Sequence, residues 1–287
     1  MSRLRIFVSV VFVILFVGVS TLASAEKTLR VATLNSEWFW TPHDGHVDGS
    51  RFNKGDPSVS DYDKKLGFYR ELILDQSIDL VAFIEIENKQ VAKDIVDALG
   101  EGWSYAFKQG RDTATGQDVA FVWKDAEQIK VTDFGFPSGH VDGYKPKRLS
   151  KVLGLTLRYR IGDTDKDVSF ATTHFLSKRK ESPKKASKRL MQSKGLVKGV
   201  QQFDQARIVV LGDFNDFRAS PVLKTLEKQL ELRNASVSCD SVEHKAKRKL
   251  RYMIDHVLYK GFSCQRYQSI SMAPYSDHPI IIAELVL

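Results

Sequence analysis

The sequence predicts an α/β protein. Short apolar runs rich in Val, Ile, Leu and Phe alternate with longer segments whose apolar residues recur at helical spacing. Several of the short runs end in Asn, Asp, Glu or His. The clearest is Ile208-Val209-Val210-Leu211-Gly212-Asp213-Phe214-Asn215-Asp216. Its apolar part is too short for a helix and reads as a buried strand, with Gly212 allowing a turn where a side chain would crowd the backbone. Asp213 and Asn215 then project to the same side, because side chains alternate along extended chain. Such a pair can hold a water; it can equally form an Asx turn leading to the helix that begins near Ser220-Pro221.

The 287 residues carry no Gly/Ser-rich linker and no internal repeat, which favours one domain over residues 26–287. Before it, Arg3 and Arg5 precede the apolar run Ile6 to Val19, and Ala23-Ser24-Ala25 supplies a small-residue cleavage pattern. Residues 1–25 therefore read as a secretory signal peptide, with an uncleaved anchor as the alternative, and the protein is expected to be secreted or periplasmic. The net charge of +8 becomes +6 once Arg3 and Arg5 are removed. Two cysteines follow, Cys239 and Cys264, a disulfide candidate in an oxidising compartment or two buried thiols.

Taken in order, Leu29 to Leu34 reads as a strand ending at Asn35, which is either a turn residue or an amide beside a metal or phosphate. Residues 41–60 are polar and Gly-rich; His43, Asp44, His46 and Asp48 imitate a metal cluster but fit a solvated loop better. Tyr62 to Asp75 has Leu66, Tyr69, Leu72 and Ile73 on one helical face. Ile78 to Asn88 is a second buried strand, in which Glu85 lies between Ile84 and Ile86; a carboxylate there needs a partner or a metal. A helix over Val91 to Leu99 and two strands between Tyr105 and Trp123 follow, then a strand at Leu153 to Leu157 and another from Asp167 to Thr173 that ends in His174.

Beyond His174, residues 177–189 hold seven Lys or Arg against the single acid Glu181. This is either a solubilising helix start or a surface aimed at phosphates, with Lys178 and Arg179 nearest the strand end. A second basic cluster, Lys245, Lys247, Arg248, Lys249 and Arg251, leads into the strand Tyr252 to Tyr259, which carries Asp255 and His256. Ser276-Asp277-His278-Pro279 opens the last strand.

Polar residues at the ends of strands spread over the whole chain are how α/β folds assemble a site. The set Leu34-Asn35, Ile84-Glu85, Thr173-His174, Gly212-Asp213-Phe214-Asn215, Ile254-Asp255 and Ser276-Asp277-His278-Pro279 resembles, in order, the motifs of the endonuclease/exonuclease/phosphatase superfamily. The resemblance covers about residues 28 to 287. It implies a four-layer α/β sandwich, two packed mixed β-sheets flanked by helices, with the site at one edge of the sheets.

It further implies Glu85 as the principal Mg²⁺ ligand (Ca²⁺ or Mn²⁺ being alternatives), with Asn35 beside it and Asp277 on the metal side. Asp213 and Asn215 match the pair that activates and orients water, with either Asp213 or His278 as the base. Asp255 matches the carboxylate orienting His278, and His174 the histidine that contacts the scissile phosphate. Arg148 lies where relatives hold a phosphate-binding arginine. An acid that pairs with the first histidine is expected near Gln117 or Asp118, and His256 stands where relatives commonly have an aromatic.

The expected activity is metal-dependent phosphodiester hydrolysis. The basic mature chain, its basic clusters beside site-bearing strands, and Trp38, Phe39, Trp40 and Tyr144 favour a nonspecific DNA endonuclease that acts as a monomer. No exposed apolar hairpin of the kind a membrane-acting phospholipase needs is evident outside the signal, so no stable membrane association is expected. A small-molecule phosphoesterase, a lipid-headgroup phosphoesterase and an inactive polyanion-binding module are the alternatives.

Overall fold

The computed structural model describes residues 26–42, 56–111, 116–134, 139–143, 145, 149–246 and 249–287. The signal segment, the His43–Asp48 cluster, Tyr144, Arg148, Lys247 and Arg248 lie outside the described residues.

Two mixed sheets pack face to face. The first has seven strands in the order β10 (Ser241–His244), β12 (Ser263–Ile270), β13 (Ile280–Val286), β1 (Thr28–Phe39), β2 (Leu80–Ile86), β4 (Asp118–Lys124) and β3 (Trp103–Lys108). The second has six: β5 (Glu127–Asp133), β6 (Val152–Ile161), β7 (Thr164–His174), β8 (Ile208–Asp213), β11 (Asp255–Lys260) and β9 (Arg233–Asn234).

The period-two pattern assigns each side chain to a layer. In β2, Leu80, Ala82 and Ile84 join Leu153, Leu155, Phe170, Val209 and Leu211 in the core between the sheets. The alternate residues Val81 and Phe83, joined by Ile86 beyond a register shift at Glu85, face outward against Tyr69 and Ile73 of α1 (Val59–Asp75) and Val91 and Ile95 of α2 (Lys89–Leu99). On the far side, Ala171, Ile208 and Val210 meet Leu196 and Val197 of α3 (Pro183–Val200) and Leu223 and Leu226 of α4 (Pro221–Leu230). The result is the four layers the sequence implied.

Local chemistry starts each helix. Ser58, Asn88, Ser182 and Ser220 accept hydrogen bonds from first-turn N–H groups, and Pro183 and Pro221 occupy positions whose N–H has no helical partner. The strands at β5, β9, β10 and β12 had no apolar run to announce them. They lie at or near the sheet margins, where one face meets solvent and the sequence alternates instead.

Cys239 and Cys264 form a disulfide. Cys239 follows α5 (Ala235–Ser238), whose Ser238 hydroxyl bonds the Tyr259 hydroxyl of β11 at 2.9 Å. Cys264 belongs to β12. The bond therefore ties the second sheet to the first. Asn234 is buried and caps α5 through Ser236 N–H.

Gly212 of β8 pairs with Thr173 of its parallel neighbour β7. Its φ is +148°, and a Cβ would lie 2.2 Å from the carbonyl oxygen of Thr173. Both the conformation and the space exclude a side chain. Gly212→Ala should lower the unfolding free energy by about 2–3 kcal/mol, read from the urea midpoint; an unchanged midpoint would mean that the two strands can part without cost.

Candidate active site

Strand direction brings the polar ends together. β1 and β2 run parallel, as do β7 and β8, so Asn35, Glu85, His174 and Asp213 all reach the same edge. β11 and β13 run antiparallel to their neighbours, and the residues at or just before their starts, Asp255 and His278, arrive at that edge as well. Asp213 pairs in register with His174 on one side and Asp255 on the other.

Asn35 joins the sheets. Its side-chain nitrogen donates to Glu85 Oε1 at 3.2 Å, within its own sheet, and to Asp213 Oδ2 at 3.1 Å across the interface. Its oxygen accepts from Glu37 N–H at 3.0 Å. Asn35 thus orients the two carboxylates through its nitrogen. Asn215 Nδ2 donates to the same Asp213 Oδ2 at 3.1 Å and to the Phe175 carbonyl at 3.0 Å. Asp213 Oδ1 accepts from Asn215 N–H at 2.7 Å, so the Asx turn exists, but the cap of α4 is Ser220.

The backbone here is held in sparsely populated conformations. Glu85 has φ +62° at a register shift between Ile84 and Ile86, and Asn215 has φ +50°. Asn tolerates the left-handed region; Glu does so at a cost of about 1–3 kcal/mol. The Ser36 hydroxyl, donating to the Ile84 carbonyl at 2.8 Å, secures the bulge that turns Glu85 inward.

Burial sets the electrostatics. Desolvation raises the Glu85 pKa, against the bonds from Asn35 and Gln117. It also raises Asp213, to about 8, reinforced by the Asp255 charge. His174 is buried and held well below its ordinary value, hence neutral. Its Nε2 stands 3.6 Å from Glu85 Oε1 and 3.7 Å from Asp213 Oδ2, too far for hydrogen bonds and uncharged in any case. His278 behaves oppositely. Burial would lower it, but Asp255, bonded to Nδ1 at 2.8 Å, overrides burial and raises it to about 10.

This charge pattern bears on a cation. Asp213, Asp255 and His278 bring potential ligand atoms within 4.8 Å of one another. A protonated His278 bonded to Asp255 is, however, a poor ligand. Glu85 Oε1 and Asp213 Oδ2, which share one Asn35 donor and are both driven by burial to take up protons, are the better pair for a hard divalent cation. The residues present fit such an ion.

Around them lies a cavity of about 990 Å³ whose walls include Gln117, Lys151, Arg179, Lys180 and Lys185. Lys151 had no motif around it in the sequence; only its place before β6 brings it here. Of the expected partners of the first histidine, Asp118 is buried elsewhere, accepting from Gly110 N–H at 2.7 Å, and Gln117 takes the place facing Glu85 and His174.

Arg179 reaches the cavity, but Lys178 is committed to structure: its Nζ pairs with Asp216 at 2.9 Å and its N–H donates to Asn215 Oδ1 at 3.2 Å. Asp277 stands at the rim with 71% of its side chain exposed, 3.7 Å from His278 Nε2. His256 is buried, bonded to the Asp216 carbonyl at 3.0 Å and packed on Phe214, an aromatic's place filled by a neutral ring.

Neither a family model nor a curated protein sequence matches the chain. Solved structures do match. An endonuclease/exonuclease/phosphatase family protein from Bacteroides thetaiotaomicron superposes with a TM-score of 0.65 at 16% identity, covering 91% of this chain and 98% of that one. The human Nocturnin catalytic domain with bound sulfate gives 0.65 at 14%, covering 90% and 93%. A mannosyl-6-phosphatase from Bacteroides thetaiotaomicron gives 0.63 at 17%, covering 90% and 100%. At these identities the likeness is one of fold.

Proposed function

We propose that this chain, built on the fold of the endonuclease/exonuclease/phosphatase proteins, is a divalent-cation-dependent phosphoesterase, and more finely a secreted or periplasmic nuclease that hydrolyses DNA. The observation that carries the reading is the meeting of Glu85, His174, Asp213, Asn215 and His278, the last backed by Asp255, in one cavity rimmed by Lys151, Arg179, Lys180 and Lys185. A disulfide across the two sheets supports an oxidising compartment. Among the described residues no helix is long and apolar enough to cross a membrane.

The residues divide the work of hydrolysis. A cation such as Mg²⁺, held by Glu85 with Asp213 in reach, would neutralise charge on the phosphate oxygens. Neutral His174 donates a hydrogen bond to a non-bridging oxygen. Asp213 and Asn215 orient the attacking water; burial raises Asp213 to about 8, so it would hold a proton near neutral pH, and a cation beside it would keep it ionised and able to accept the water's proton.

Asp255 holds the proton on His278 at neutral pH, which favours His278 as the donor to the leaving oxygen and Asp213 as the base. As the new P–O bond forms and the bond to the leaving oxygen breaks, one proton passes from water to Asp213 and another from His278 to the leaving group. The rim cations supply affinity independent of sequence.

The test is conversion of supercoiled plasmid to nicked circles by the mature protein. Nicking with Mg²⁺ that disappears in EDTA, and with His278→Ala, is the expected outcome. Turnover of small phosphoesters without cleavage of plasmid, single-stranded DNA or RNA would remove the nuclease reading and leave the phosphoesterase one.

A further inference from the structure

We propose that Trp38 is the floor of a nucleobase subsite beside the phosphate pocket, taking the base of an unpaired nucleotide next to the scissile bond. This rests on the nuclease reading and narrows its substrate to strands whose bases are accessible.

The first observation is conformational. Glu37 and Trp38 are consecutive non-glycine residues at φ +46° and +56°. Each such residue is disfavoured by about 1–3 kcal/mol, and strain of this kind collects where a site requires a particular direction of a side chain. Lys65 fixes the turn, its Nζ donating to the Ser36 carbonyl at 2.5 Å and the Glu37 carbonyl at 3.1 Å. The turn shifts the strand register so that Phe39 enters the core opposite Ile86, and Glu37 accepts from Asp277 N–H at 3.0 Å. It also puts Trp38 at the boundary of two cavities, the phosphate pocket of about 990 Å³ and a neighbouring one of about 360 Å³.

The second observation is the support beneath the ring. Trp38 stacks on Trp40 with centroids 5.8 Å apart and planes 25° off parallel. Trp40 is buried, and its indole N–H donates to the Gly116 carbonyl at 3.0 Å. Trp38 itself is half-buried. A flat ring held from behind by a pinned second ring is a preorganised stacking surface.

The third is the asymmetry of the pocket. Its cations, Lys151, Arg179, Lys180 and Lys185, come from the six-stranded sheet and the segment after β7, whereas Trp38 comes from the seven-stranded sheet, three residues beyond Asn35. A nucleotide has the same division, an anionic phosphate at one end and a flat apolar base at the other. Stacking accepts any base, which suits a nuclease without sequence preference. Bases inside a duplex are covered by their neighbours and cannot reach the ring, so single-stranded or frayed DNA is the favoured substrate.

The test separates this proposal from the nuclease reading by measuring binding without turnover. His278→Ala protein in EDTA is titrated with a short labelled single-stranded oligonucleotide, and with a strand of equal length and charge lacking bases. The expected result is roughly tenfold tighter binding of the strand with bases, the scale of one aromatic–base stack. Adding Trp38→Ala should bring the two affinities together, and Trp38→Phe should restore part of the difference. The affinity for the baseless strand reports that the variant has folded.

Equal affinities before Trp38 is changed, or a difference that survives Trp38→Ala, would overturn the subsite while leaving nuclease activity intact. Equal affinities that both fall with Trp38→Ala would also overturn it, pointing to packing of the sugar. Binding of neither strand would overturn both this proposal and the nuclease reading.

Discussion

Asp255→Asn should lower the hydrolysis rate by about 10²–10⁴-fold with little change in substrate affinity, the scale of a lost general acid. Asp255 is 1% exposed and bonds His278 Nδ1 at 2.8 Å. It counters the burial that would otherwise strip the proton from the imidazole and carries His278 from the ordinary 6.5 to about 10. Asparagine preserves the shape but removes the charge, so the ring becomes neutral near pH 7 and cannot protonate a leaving oxygen.

A stability signature should accompany the loss. The folded pKa of His278 lies above its ordinary value, so the pair's contribution is complete below about 6.5 and is lost as pH rises through about 10. Thermal melts of wild-type protein in a chelating buffer should therefore fall across that window, and Asp255→Asn should flatten the fall. A variant with wild-type kcat would show that His278 acts without its partner.

Arg189→Met should cost about 3–5 kcal/mol of stability, the range for breaking a buried ion pair from one side. Arg189 is fully buried in α3, with Nε on Asp216 at 3.0 Å and its terminal nitrogen on Glu181 at 2.7 Å. Asp216 follows Asn215, and Glu181 belongs to the basic segment after His174, so one guanidinium latches the loop that carries Asn215 to the rim of the cavity. Burial alone would raise the Asp216 pKa; Lys178 and Arg189 hold it below the ordinary value. Without Arg189, Lys178 is the one cation left on Asp216 beside the neutral Phe217 N–H. Arg189→Lys keeps the charge but lacks the fork needed to span both acids, and should fall between. Urea unfolding reads the effect, and wild-type stability of Arg189→Met would show that the network is passive.

The same arginine illustrates what was legible in the sequence. Ser177 to Arg189 read as a solubilising helix start or a surface aimed at phosphates, yet Lys178 and Arg189 are turned inward to Asp216 while Arg179, Lys180 and Lys185 line the cavity. Composition gives the charge of a segment and not the direction of each side chain, which depends on helix phase and on an acid far along the chain. Strand-end residues were easier. Asn35, His174 and Asp213 follow buried apolar runs, and alternation fixes where such residues point.

Glu85 was legible as a carboxylate among apolar neighbours, but the bulge that aims it was not, because a left-handed glutamate leaves no mark in the residue string. Lys151 and Gln117 carried no motif, and the register that separates Gln117 from Asp118 is decided by the bond from Gly110 N–H to Asp118.

Finally, no single sheet owns the chemistry. Asn35, Glu85 and His278 hang from the seven-stranded sheet, Asp213, His174 and Asp255 from the six-stranded one, and every bond between the two groups spans the gap between sheets. A chain with one sheet formed and the other undocked would have secondary structure and no activity. During refolding, catalysis should therefore return with the last tertiary event and not with the circular dichroism signal. In the finished protein, a slip of one sheet on the other by an ångström should stop the proposed hydrolysis before the chain unfolds. The Cys239–Cys264 bond resists such sliding along the far edge of the sandwich. Turnover is in this sense a readout of sheet alignment.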